Sequence, residues 1–159
     1  MILPSYQEIP AERIPSAQTS DGNVDVRVIA GQSLGARAVI ETRTPIFYLD
    51  FKLRPGGKVI QPVGPAFNVF AYVLSGSPVF GDRTSPVPKG HMVSFTKDGD
   101  EVRIEAPREN QSAGRVLLIG GLPLNEPIAR YGPFVMNTQT EIREAFEDYE
   151  SGRMGAINF

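Results

Sequence analysis

The stretch Gly56–Gly76, GGKVIQPVGPAFNVFAYVLSG, decides the fold. It reads as a strand, a broad turn and a second strand closing on Ser75-Gly76. Side chains alternate along a strand, so Val69, Ala71 and Val73 share one face and Phe70, Tyr72 and Leu74 the other. A strand apolar on both faces is expected to be covered on both, which places this hairpin in the middle of a sheet and not at its rim.

The neighbouring segments follow the same logic. Upstream, Asp21-Gly22-Asn23 is a turn signal that leads into the strict alternation Val24-Asp25-Val26-Arg27-Val28, ending at Gly31. Thr44–Leu53 is the next strand. Phe47, Leu49, Phe51 and Leu53 should point into the core, and Ile46, Tyr48, Asp50 and Lys52 away from it. Downstream, short strands are expected at Pro78–Phe80, His91–Phe95, Glu101–Ala106 and Arg115–Ile119. Fourteen prolines and sixteen glycines punctuate these runs, the pattern of an all-β sandwich or barrel of jelly-roll type.

At the N-terminus, Ile2–Gln18 carries Pro4, Pro10 and Pro15 and reads as an extended arm, either a linker or a segment lying along a sheet edge. The C-terminal part changes character. Leu122–Pro133 reads as loop, and Thr138-Gln139-Thr140-Glu141 as a capping box opening a helix. Ile142, Ala145, Phe146 and Tyr149 follow at helical spacing and Gly152 marks the stop. The expected organisation is an arm over residues 1–20, a β-barrel over 21–137, and a helix with tail over 138–159 packed on the barrel.

Composition narrows the function. A length of 159 residues suits one compact domain with a real core. There is no cysteine, hence no disulfide, thiolate metal site or cysteine nucleophile. A formal charge of −2 argues against a nucleic-acid or anionic-membrane surface. No run of 18 apolar residues is present to span a membrane. The start, MILPSYQEIP, lacks the features of a secretory signal, so a cytoplasmic location is expected.

The spacing Gly56, five residues, Pro62-x-Gly64, four residues, Val69, six residues, Gly76 resembles the first motif of the cupin superfamily. Pro88-Lys89-Gly90 resembles the Pro-x-Gly of the second motif. In metal-binding cupins the ligands are His, His and Glu in the first motif and a His three residues after the second glycine. Here those positions hold Pro62, Gly64, Val69 and Val93. The frame is present without its ligands. The single histidine, His91, is off the ligand position by two and reads as a rim residue.

Gly121-Leu122-Pro123-Leu124-Asn125-Glu126-Pro127 and Tyr131-Gly132-Pro133-Phe134-Val135-Met136-Asn137-Thr138 closely resemble the pirin family, as do Thr44–Phe51, Leu53, Pro55 and Gln61-Pro62. The resemblance runs from about Tyr6 to Gly152 and covers the C-terminal cupin of these two-cupin proteins. It implies a cupin-type double-stranded β-helix with one C-terminal α-helix. It also implies an iron held by three His and one Glu in the N-terminal cupin, so no cofactor is expected in this chain. Some members act through that metal as quercetin dioxygenases. Animal members are nuclear transcription cofactors, so a nuclear location would follow for a member of that kind.

The expected partner is the N-terminal pirin cupin, a second copy of this chain, or a regulatory protein. A non-catalytic domain acting by packing is the leading expectation. The supporting half of a quercetin 2,3-dioxygenase-type pirin is the alternative, and a small-molecule binding barrel the third. For the last, Phe67, Phe70, Tyr72 and Phe95 would line a pocket with Gln61 or Asn68 at its mouth. Asp50 reads as a hydrogen-bonded structural acid. Asn110-Gln111-Ser112 matches a glycosylation acceptor by chance.

Overall fold

A computed structural model of the chain describes residues 6–82, 84–109 and 112–155. The arm forms a short 3-10 turn at Ala11–Arg13 and then β1 (Ser16–Gln18), which pairs antiparallel with β2 (Val24–Ala30) at the sheet edge. β3 (Gln32–Ser33) and β4 (Ala36–Arg37) make a hairpin that the sequence reading missed. Its turn residues, Leu34 and Gly35, have φ of 46° and 82°, the two positive values that a tight two-residue hairpin requires.

The remaining strands of this region are β5 (Ile46–Leu53), β6 (Lys58–Pro62), β7 (Asn68–Ser75), β8 (Val79–Phe80), β9 (Met92–Ser94), β10 (Glu101–Glu105) and β11 (Gly114–Gly121). They build a six-stranded sheet in the order β1-β2-β5-β11-β7-β9 and a three-stranded sheet in the order β6-β10-β8. The core lies between the two sheets. Leu49, Phe51 and Leu53 of β5, Ala71 and Val73 of β7 and Val116 and Leu118 of β11 meet Val59, Phe80, Val102 and Ile104 from the other sheet. Each large apolar side chain buried this way contributes roughly 1.5–3 kcal/mol.

Two expectations about the opening stretch are corrected. β6 and β7 are not a hairpin: β6 pairs with β10, and β7 with β11 and β9. The broad turn carries the chain from one sheet to the other. β7 is interior to its sheet, as expected, but it is not covered on both faces. Val69, Ala71 and Val73 are buried while Tyr72 is 38% exposed and Phe70 and Leu74 are half-buried.

The chain divides into two compact units, residues up to Pro123 and residues from Leu124 on. The division falls before the expected boundary at residue 137. The cause is a second missed hairpin, β12 (Ala129–Tyr131) with β13 (Phe134–Met136), whose first strand and turn lie inside the segment read as loop and whose second strand follows it. Gly132 at its turn has φ of 55°. The helix α1 (Gln139–Glu150) belongs with this hairpin. Phe146 stands 4.9 Å from Phe134 and 5.6 Å from Tyr131, ring centre to ring centre.

The capping box forms as read. The Glu141 amide donates to the Thr138 hydroxyl at 3.2 Å, and the Thr138 amide donates to the Glu141 carboxylate at 2.8 Å. The hydrogen bonds from Thr138 hold the Glu141 carboxyl below its ordinary value.

Candidate functional site

Two clefts open at the mouth of the sandwich. One, of about 690 Å3, brings together Gly64, Val69 and Val93 with Phe67, Phe80 and Phe95. Three of the four cupin ligand positions therefore converge on one cleft, as the motif spacing requires. Pro62 lines the second cleft, of about 490 Å3, which shares Val63, Gly64 and Phe67 with the first. Phe67 thus lines both clefts.

The side chains at these four positions do not fit a metal, because none carries a nitrogen, sulfur or carboxylate donor. Among the described residues, no group of three or more His, Cys, Asp or Glu could hold a metal ion. Phe67 fills the space that a side chain at position 64 would enter: a Cβ built on Gly64 would lie 3.0 Å from its ring. Phe47 stacks on Phe67 with ring centres 5.9 Å apart and planes at 14°. His91 is exposed, its Nδ1 3.3 Å from the Lys89 carbonyl oxygen.

The six residues expected to share a pocket do not all meet. Phe67 and Phe95 line the first cleft, and Gln61 and Phe67 the second. Phe70, Tyr72 and Asn68 lie elsewhere, on the outer face of the six-stranded sheet. The period of two decides this. With Val69, Ala71 and Val73 turned into the core, residues 68, 70 and 72 must face outward. Three residues of the second cleft escaped sequence reading: Ser33 and Gln32 of the β3–β4 hairpin, and Phe47, which was read as core. The only available signal was the pair of glycines, Gly31 and Gly35, that brackets the hairpin.

On that outer face, strand register sets the neighbours. Ile119 lies between Tyr48 and Phe70, and Leu117 between Asp50 and Tyr72. Met92 on the edge strand stands beside Tyr72 and is 63% exposed. The apolar row passes at one end into charge. Asp50 is only 6% exposed, and Arg115 grips it with two hydrogen bonds, Nε at 2.9 Å and Nη2 at 2.7 Å. Hydrogen bonding to Asp50 and its charge push the Arg115 guanidinium above its ordinary value. Arg27 lies across from Asp50, and Lys52 across from Arg115. The buried acid is therefore the anchor of a charged cluster, the structural role expected for Asp50. The Asn110-Gln111 part of the glycosylation match lies outside the described residues.

Two packed antiparallel sheets with the motif glycines at their turns and an aromatic-filled mouth define a cupin-type sandwich without ligands at the ligand positions. Comparison with known proteins makes the assignment specific. Residues 48–155 match the pirin C-terminal cupin domain, and the chain belongs to that family.

A pirin-like protein of Solanum lycopersicum is 41% identical over 155 residues, which is 98% of this chain and 52% of that protein. Human pirin is 39% identical over 156 residues, again 98% of this chain and 52% of the relative. A crystal structure of a quercetin 2,3-dioxygenase from Acinetobacter baumannii superposes with a TM-score of 0.83 at 34% identity, covering 97% of this chain and 52% of that one. The chain spans about half the length of the curated relatives it matches. Among the described residues, no helix is long and apolar enough to cross a membrane.

Proposed function

We propose that this chain is a non-catalytic cupin domain that acts by packing the outer face of its six-stranded sheet against a second cupin, the other half of a full-length pirin. The observation that carries the reading is the row Tyr48–Ile119–Phe70 and Leu117–Tyr72–Met92, apolar and partly open to solvent on a sheet whose opposite face is the core. Contiguous apolar surface of this kind marks interaction sites. The matched relatives, about twice as long, supply an occupant of the right class. The charged end, with Arg27, Lys52 and Arg115 around Asp50, would fix register at the rim, where charge sets specificity more than affinity.

The test is co-expression with the N-terminal half of the Solanum pirin-like protein, followed by size-exclusion chromatography with light scattering. A one-to-one complex that Ile119→Asp abolishes is expected. A dimer of this chain broken by the same substitution would assign the face to a second copy. A clean monomer at high concentration, indifferent to both, refutes the reading.

A second reading is favoured by the dioxygenase neighbour: the domain would support a quercetin-cleaving centre held elsewhere. Oxygen consumption with quercetin by this chain, loaded with iron or copper, above that of free metal would instead make the chain itself catalytic. In either reading the iron implied by the resemblance would be held outside this chain.

A further inference from the structure

The charged end of the outer sheet face is a cleft of about 620 Å3 that runs across the strands from Ser16 and Gln18 of β1 to Ser75 of β7. Its charged residues are Asp25, Arg27, Asp50, Lys52 and Arg115. Both acids are already engaged. Asp50 accepts from Arg115 Nε and Nη2, and Asp25 pairs with Arg54 at 3.3 Å and accepts from the Gln18 amide at 2.9 Å. Among the described residues, neither Arg27 nor Lys52 makes an ion pair. Arg115 spends one edge of its guanidinium on Asp50, which leaves Nη1 unused, and its side chain is 50% exposed. Asp50 is therefore a positioning residue: a carboxylate only 6% exposed that fixes the plane of a cation reaching into the cleft.

Two features restrict what occupies such a cleft. The unmatched charge is positive, so the complementary group is an anion. The charged residues also run directly into apolar ones, because Leu117 lies across from Asp50 and Tyr72 across from Leu117. A free inorganic anion would use the charges alone. A protein surface carrying a carboxylate beside apolar side chains uses both. We propose that the cleft is a socket for an Asp or Glu side chain of the second cupin, held between Arg27, Lys52 and the unused edge of Arg115. The inference rests on the packing reading above and adds the chemistry of the partner surface: apolar opposite Phe70 and Ile119, acidic opposite Arg27 and Lys52.

The test is the affinity of the full chain for the N-terminal half of the Solanum pirin-like protein, measured from low to high salt. The double variant Arg27→Gln/Lys52→Gln should bind about fivefold more weakly at low salt, chiefly through slower association. At about 1 M salt, where the screening length is about 3 Å, the difference from the parent should vanish. The control Lys58→Gln/Arg103→Gln removes the same charge from the other sheet and should bind as the parent does. Urea midpoints report whether each variant folds. If the double variant does not, Lys52→Gln alone, exposed on its strand, should show about a threefold loss with the same salt dependence. Parent-like affinity in the Arg27/Lys52 variants, or an equal loss in the control, overturns the inference. The packing reading survives that result as long as Ile119→Asp still abolishes the complex. Failure of the parent to form any complex overturns both. A parent dimer weakened by the same double variant would place the acidic group on a second copy and overturn its assignment to the second cupin.

Discussion

Gly120→Ala tests whether the aromatic filling of the barrel mouth is built as the structure shows. A Cβ at position 120 would stand 2.4 Å from Cζ, 2.6 Å from Cε1 and 3.1 Å from Cε2 of Phe47. Ordinary carbon contacts lie near 3.5–4.0 Å, so the ring would have to retreat by roughly 1 Å or more. It has little freedom to do so. Its base is closed in by Gly31, where an added Cβ would meet Phe47 Cβ at 2.8 Å, and it is stacked on Phe67. Forced overpacking of this kind costs about 1–3 kcal/mol. Replacing a glycine gives back about 0.4–1 kcal/mol by restricting the unfolded chain. The net loss is about 1–2 kcal/mol, or about 2–8 °C in Tm for a chain of this size. The control is Phe47→Leu, which removes the three atoms that clash. In that background Gly120→Ala should be neutral or slightly stabilising. Urea unfolding of the four proteins closes the cycle, and equal losses in both backgrounds would refute the packing described here.

Three further predictions follow from particular contacts. Asp50→Ala should cost about 1–2 kcal/mol in urea unfolding, less than a fully buried pair, because the stranded Arg115 is half exposed and reaches water; an unchanged midpoint would remove Asp50 as an anchor. Thr138→Ala should destabilise α1 by about 1 kcal/mol through loss of the cap, read as faster amide exchange in the helix. The same variant should return Glu141 toward its ordinary value. Asp21 is held at about 2 by hydrogen bonds from Thr19 and then Asn23. Its value is lowered in the fold, so the unfolded chain takes up the proton first on acidification. The Asp21 contribution is therefore complete above 3.8 and lost as pH falls through about 2. Carboxyl NMR titration should show that midpoint, and Thr19→Val should raise it; a native midpoint near 3.8 would contradict the turn geometry.

The parts of the fold legible in the sequence were those governed by alternation and spacing. The β5 pattern put Phe47, Leu49, Phe51 and Leu53 inward, and all four are buried. The cupin spacing brought Gly64, Val69 and Val93 to one cleft although they come from different segments. Pairing partners were not legible, because Lys58–Pro62 and Asn68–Ser75 look like a hairpin until the sheets to which they belong are known. The two missed hairpins turn on Leu34-Gly35 and Gly132-Pro133, and their strands of two or three residues are too short to show a period. Phe70 and Tyr72 were assigned to a pocket by chemistry alone, and the strand period overrules chemistry. Ser33 had no signal at all, since nothing local to a serine announces that its hydroxyl will be buried without a partner.

Strand β7 joins the two surfaces of this domain. Its inward residues, Val69, Ala71 and Val73, are small aliphatics that complete a core. Where a metal-binding cupin would place donors, Gly64 leaves room for Phe67, and Gly120 leaves room for Phe47 on the stack. The Phe47 and Phe67 rings stack on one another beside the open cleft, and the smaller cleft next to them is lined by Ser33 and Gln61. The outward residues, Phe70 and Tyr72, gain nothing for that core. Standing together on an open sheet face, they form the contiguous apolar surface on which the proposed packing rests. On the proposed reading, the domain carries no chemistry at its mouth and keeps this face for a partner. The two properties sit on opposite sides of one sheet, so substitutions on one side can be read without disturbing the other.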